Sequence, residues 1–113
     1  MQIPTYRSKY GNQKTFYDGK TFDSKLECYR YIDLKILEKA KQISDLKTQQ
    51  KFVLIPRSEY GKEITYIADF TYIENGKLIV EDTKSTATKT PLYRLKKRLL
   101  AEKYGIVIKE IEK

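Results

Sequence analysis

Asp69, Asp82 and Lys84 are the residues of this chain whose types and spacing suit chemistry. Two carboxylates can hold a divalent cation between them. An ammonium beside them can orient a metal-bound water and stabilise charge on a phosphate. This combination is what metal-dependent phosphodiester hydrolysis needs.

The three residues come together only if the chain folds into a particular hairpin. Asn75-Gly76 supplies it, because both residues tolerate the positive φ of a two-residue type I′ turn. Glu63 to Glu74 reads as the outgoing strand and Lys77 to Lys84 as the returning one. With a two-residue loop, Glu74 pairs with Lys77. Then Ile73 faces Leu78, Thr71 faces Val80, Asp69 faces Asp82, and Ile67 faces Lys84. Period two puts all eight side chains on one side. Ile67, Ile73, Leu78 and Val80 make that side mostly apolar and suited to packing on a helix.

Two opposed aspartates on an apolar face are unfavourable. Repulsion and desolvation both act against the charged pair. A shared proton relieves this, and so does a cation. The bland alternative is a pair of exposed hairpin acids neutralised by Lys84 or another lysine. Glu81 points to the opposite face in this register and is the weaker candidate.

Composition narrows the chemistry further. The chain has no histidine and one cysteine, Cys28. This excludes Ser-His-Asp and Cys-His mechanisms, cysteine zinc sites and internal disulfides. A metal would be held by oxygen, which favours Mg²⁺ or Mn²⁺. Lysine plus arginine number 23 against 15 acids, a net charge of +8. Such an excess points to a polyanionic partner, with nucleic acid the usual one. No stretch is long and apolar enough for a membrane span, so a cytoplasmic protein with no membrane partner is expected. The 113 residues suffice for one compact domain.

The remaining elements follow from local signals. Lys14 to Phe22 reads as a hairpin turning at Asp18-Gly19. Residues 1–13 form a basic, tyrosine-bearing arm or edge strand. Ser24 to Gln42 reads as a helix, with Ser24 and Glu27 matching a capping box and Leu26, Tyr29, Ile36, Leu37 and Ala40 on its apolar side. Ile43 to Gln50 reads as a connection and Lys51 to Pro56 as a strand. Thr90-Pro91 opens a second helix that stops at Gly105, and Ile106 to Ile111 is a last strand. The order after the first hairpin is α-β-β-β-α-β. The expected fold is α/β in the α+β sense, a mixed central sheet flanked by two helices with an N-terminal hairpin or arm.

These features together resemble the PD-(D/E)xK nuclease superfamily. The likeness rests on Ala68-Asp69, on Asp82-Thr83-Lys84 across the hairpin, and on Glu27 early in the preceding helix. The element order matches that superfamily's restriction-endonuclease-like core. More closely, the chain resembles a family of small uncharacterised phage and prophage proteins placed there. The resembling stretches are Thr21 to Glu27, Ile64 to Phe70 and Leu78 to Lys84. Alanine stands where the superfamily's name has proline. The resemblance implies that Asp69 and Asp82 are metal ligands, Lys84 the catalytic lysine, and Glu27 a further ligand or supporting acid. For Glu27 the capping-box role stands as an equal alternative. Gln49 falls where related nucleases often carry a polar active-site residue, and a plain loop glutamine is the other reading.

DNA contacts are expected from the second helix and its approach. Lys89, Arg94, Lys96, Lys97 and Arg98 gather there around Leu92, Leu95 and Leu99; Arg7 and Lys9 form a second basic patch. A solvated charged helix face is the alternative. No recognition-helix signature is present. The expectation is a Mg²⁺- or Mn²⁺-dependent endodeoxyribonuclease of phage type that cuts branched DNA, with a homodimer as a possible assembly. A DNA- or protein-binding module on the same fold, without cutting, is the rival.

Overall fold

The computed structural model describes residues 5–7, 13–84 and 89–112. The chain forms two compact units, Met1–Gln42 and Ile43–Lys113.

The first unit is a three-stranded antiparallel sheet and one helix. Strands β1 (Thr5–Arg7), β2 (Gln13–Tyr17) and β3 (Lys20–Phe22) lie in that order. The edge-strand reading of the N-terminal residues therefore holds for Thr5–Arg7. Asp18 and Gly19 turn β2 into β3 with φ of 55° and 72°, the left-handed pair a tight hairpin requires. Helix α1 (Lys25–Lys39) begins at Ser24, whose Oγ accepts the Glu27 N–H at 3.1 Å. It packs on the hairpin through Tyr31. That ring lies 5.1 Å from Phe22, and its hydroxyl donates to Asp18 Oδ2 at 2.6 Å.

The apolar side expected for α1 is corrected. The buried residues are Glu27, Cys28, Tyr31 and Leu34, while Tyr29 and Ile36 are exposed. Apolar residues occur all round this helix, so spacing alone favoured the wrong arc. The Tyr31 contacts with the hairpin decide its rotation.

The second unit holds a mixed four-stranded sheet in the order β4-β5-β6-β7, with helix α2 packed on it. The strands are β4 (Ser44–Ile55), β5 (Ile64–Glu74), β6 (Lys77–Lys84) and β7 (Lys109–Glu112). The first three form an antiparallel meander, and β7 runs parallel to β6. A parallel neighbour needs a crossover, and α2 (Pro91–Tyr104) provides it. The expected α+β class, the order α-β-β-β-α-β and the mixed sheet are all present. Among the described residues no helix is long and apolar enough to cross a membrane.

Helix α2 is bounded as its sequence dictates. Thr90 caps it by accepting the Tyr93 N–H at 3.1 Å, Pro91 fills the first turn, and Gly105 ends it at φ 68°. The core joins Leu54, Tyr66, Ala68, Val80, Tyr93, Leu100 and Ile108. Tyr104 ties the helix end to the edge strand, donating to the Val53 carbonyl at 2.8 Å and meeting the Phe52 ring edge-on. Leu100 is fully buried in this core. Leu100→Ala is expected to cost about 3 kcal/mol. Urea unfolding checks it: the midpoint falls while the m-value stays the same.

Two packing expectations are corrected here. The buried positions of α2 are Tyr93 and Leu100, while Leu92 and Leu95 are 59% and 53% exposed. On the hairpin, Val80 joins the core but Ile67 and Leu78 are about half exposed. Tyr66 and Ala68 share the Val80 cluster although strict alternation puts them on the opposite side. The alternation of β5 does not carry through Asp69, and that break shapes the site.

Candidate active site at the end of the hairpin

The Asn75-Gly76 turn sets the register as its sequence predicts. Both residues have positive φ, 52° and 76°. Pairing then runs from Glu74↔Lys77 through Ile73↔Leu78, Tyr72↔Ile79 and Thr71↔Val80 to Phe70↔Glu81. There it stops, one step short of the expected Asp69–Asp82 pair. Beyond that point β6 continues along β7, with Asp82↔Glu110 and Lys84↔Glu112 as partners.

Asp69 bridges the gap where β5 and β6 part. Its Oδ2 accepts the Thr83 N–H at 2.8 Å and the Thr83 hydroxyl at 2.9 Å. In a continuing ladder a strand amide bonds to the neighbouring backbone. Here a side chain takes that amide instead, which fixes the Asp69 carboxylate against β6.

Asp82 is buried beside it. Its Oδ2 accepts the Tyr66 hydroxyl at 2.7 Å and lies 3.3 Å from Lys84 Nζ. Burial pushes Asp82 up to about 7, and the adjoining Asp69 carboxylate adds to the shift. The Tyr66 hydroxyl and Lys84 pull the other way and lose. Asp82 thus holds its proton well above the pH at which an ordinary carboxylate releases it. Burial and Asp82 push the Tyr66 hydroxyl far upward, so it remains a donor.

Lys84 is largely enclosed, with 17% of its side chain exposed against 6% for Asp82. Its ammonium lies between Asp82 and the Tyr93 ring, 4.3 Å from the ring centroid. The Tyr93 hydroxyl donates to Glu110 Oε2 at 2.6 Å. That bond is the main reason Glu110 titrates below the ordinary carboxylate range, and Lys97 and Lys89 reinforce it.

Asp69, Asp82 and Lys84 are therefore brought together, as expected. Glu27 lies in the first unit, buried, with its N–H on the Ser24 cap. Glu81 is fully buried and accepts a hydrogen bond from Tyr72. Gln49 sits inside β4 rather than in a loop. It lies between the Thr48↔Phe70 and Gln50↔Ala68 pairs, across from Asp69, at φ 54°. A glutamine there is held in a conformation few non-glycine residues adopt.

The basic residues divide into two groups. Arg94 and Arg98 are exposed and Lys96 is half-buried. Lys97 lies 3.3 Å from Glu110, and Lys89 pairs with both Glu110 and Glu112. Of Arg7 only the backbone is described, and Lys9 lies outside the described residues.

Tyr66, Tyr93 and Glu110 were not singled out from the sequence. The signal available was the abundance of tyrosine, ten in 113 residues. Strict alternation pointed Tyr66 away from Asp82, and no local pattern links Glu110 to Lys84.

The donor set fits a hard divalent cation. Two adjoining carboxylates, one of them holding a proton at neutral pH, can exchange that proton for a metal. Mg²⁺ commonly takes one or two protein carboxylates and completes its shell with water and phosphate. Among the described residues no group of three or more carboxylates or thiolates forms a metal cage.

No curated protein and no solved structure matches the chain significantly. A family model described as a protein of unknown function (DUF1064) matches residues 7–111, nearly the whole chain, and the chain therefore belongs to the DUF1064 family.

Proposed function

We propose that the chain is a Mg²⁺- or Mn²⁺-dependent endodeoxyribonuclease of the PD-(D/E)xK type. The observation that carries this reading is the buried Asp82 beside Asp69, with the Lys84 ammonium 3.3 Å from Asp82. Adjoining carboxylates beside an enclosed lysine cost stability, and that cost supports reading them as a cation and phosphate site. A metal bound there would neutralise phosphate charge and lower the pKa of a bound water. The chain's own groups do the rest. Tyr66 and Thr83 orient the two carboxylates, and the Lys84 ammonium would stabilise charge on a phosphate oxygen and orient the attacking water by hydrogen bonding.

The preference for branched or junction DNA, and a phage origin, rest on the resemblance and on the lack of a sequence-reading helix. Arg94 and Arg98, exposed on α2, are suited to backbone phosphates. Arg94→Ala/Arg98→Ala is expected to weaken DNA binding and to flatten the slope of log K against log salt by about 1–2. Fluorescence anisotropy titrations across a salt series check it.

The test is cleavage of supercoiled plasmid and of a four-way junction in Mg²⁺ or Mn²⁺ by the wild type and by Asp82→Ala. Cleavage lost in the variant supports the proposal. Cleavage that persists in purified Asp82→Ala removes the site assignment. Arg94 and Arg98, exposed whatever the site between Asp69 and Asp82 holds, also suit a second reading, a binding module that grips DNA without cutting. Wild-type protein that binds every substrate and leaves it intact selects that reading.

A further inference from the structure

Lysine is a poor choice for a fixed catalytic cation unless something restrains it. Its ammonium sits on a flexible four-carbon stem with large rotamer entropy. Asp82 restrains Lys84 from one side only. A lysine held by one carboxylate can swing around it, and the ammonium then moves relative to any phosphate.

The second restraint comes from α2 and β7. Tyr93 stands in the first turn of α2, its backbone N–H fixed on Thr90 Oγ1 at 3.1 Å. Its ring lies under the Lys84 ammonium at 4.3 Å. Its hydroxyl is tied to Glu110 Oε2 at 2.6 Å, and Glu110 is the β7 partner of Asp82. The contacts therefore close a ring: Asp82 to Lys84, Lys84 to Tyr93, Tyr93 to Glu110, and Glu110 back to Asp82 through the sheet. Donation to a carboxylate also leaves the aromatic face richer in electrons, which strengthens its hold on a cation. A ring face differs from a second carboxylate in one useful respect. It holds the ammonium without occupying its hydrogen-bond donors one for one, so N–H groups stay available for a phosphate.

We propose that Tyr93, anchored by Glu110, is a positioning residue that holds the Lys84 ammonium in place beside Asp82. The catalytic consequence rests on the nuclease reading; the arrangement itself does not. Glu110 also engages Lys97 at 3.3 Å and Lys89 at 3.5 Å, so the same carboxylate links the lysine's support to the basic approach on α2.

The experiment reads the position of Lys84 and the reaction separately. In the full chain, the Lys84 ε-methylene proton signals are assigned by NMR and compared among wild type, Tyr93→Phe, Tyr93→Leu and Glu110→Gln. An aromatic face under the ammonium shifts these signals upfield. The shift is expected in full in wild type, reduced in Tyr93→Phe, which keeps the ring but loses the bond to Glu110, reduced in Glu110→Gln, and absent in Tyr93→Leu. In the Mg²⁺ cleavage assay, Tyr93→Leu is expected to lower kcat about tenfold with KM unchanged, and Tyr93→Phe, with the ring but not the anchor, to fall between it and wild type. A wild-type Lys84 without the shift overturns the proposal. So does a Tyr93→Leu enzyme with wild-type kcat while Lys84→Met is inactive. If Tyr93→Leu does not fold, Glu110→Gln decides, because an undiminished shift there removes the anchoring role. A wild type that shows the shifts and cuts no DNA defeats the nuclease reading and leaves the positioning of Lys84 standing.

Discussion

Asp82→Asn is expected to raise the melting temperature at pH 8 in metal-free buffer and, on the nuclease reading, to abolish metal-dependent cleavage. The sign follows from the proton balance. Asp82 titrates at about 7 in the folded chain, against 3.8 for an ordinary aspartate. Between those values the folded state holds a proton that the unfolded state has released. Stability from this residue is therefore full below about pH 4 and is lost as pH rises through 7. The loss is on the order of a few kcal/mol once the buried carboxylate is charged. Asparagine never charges and keeps an acceptor for the Tyr66 hydroxyl. The gap in melting temperature between variant and wild type should thus open at pH 8 and close near pH 5. On the nuclease reading, millimolar Mg²⁺ should act oppositely, raising the wild-type transition at pH 8 and leaving the variant's in place, because only the dicarboxylate would bind it. Differential scanning calorimetry at the two pH values, with and without Mg²⁺, checks both statements. A variant that melts below wild type at pH 8 in metal-free buffer would mean that Asp82 is a satisfied structural acid.

That cost explains which parts of the site were legible in the sequence. The hairpin was readable because Asn75-Gly76 admits few alternatives and fixes the pairing of every residue back to Phe70↔Glu81. From there, period two puts Lys84 beside Asp82, whereas Asp69 joins them through its bonds to Thr83 and not through the pairing that the register extrapolates. Helix α2 was equally readable, since Thr90, Pro91 and Gly105 each act locally. The failures occurred where a decision depends on distant contacts. Ile43 to Gln50, mostly polar beyond Ile43 and Leu46, reads as a connection, yet Ser44 to Gln50 form the first half of β4. An edge strand needs no apolar alternation, and Asp45 and Gln49 bend it at positive φ. The departure of β6 from β5 at Asp69 was likewise invisible. It depends on β7 drawing β6 into a parallel ladder, a contact formed across the whole of α2. Tyr66 and Glu110 enter the site through that departure, so a regular-ladder reading had no place for either.

Lys84→Met is the second variant with a large expected effect, a loss of about 10²–10³ in kcat with DNA affinity nearly unchanged. Methionine keeps the length and much of the apolar stem, so packing against Tyr93 survives and the charge alone is removed. One lysine among 23 basic residues contributes little to overall DNA attraction, which separates chemistry from binding. The variant should also change how the carboxylate pair titrates. Lys84 pulls the Asp82 value down, so without it the pair keeps its proton to higher pH and competes harder with the metal. Mg²⁺ affinity should then fall near pH 7 and recover as pH rises past 8, a shift that isothermal titration calorimetry can follow without any DNA. Lys84→Arg is not expected to rescue cleavage, because a planar fork cannot occupy the space of a compact ammonium between Asp82 and the Tyr93 face. Cleavage that survives in Lys84→Met with the metal affinity unmoved would show that this lysine only balances charge beside Asp82. The nucleophile and the transition state would then have to be served by other groups near the metal.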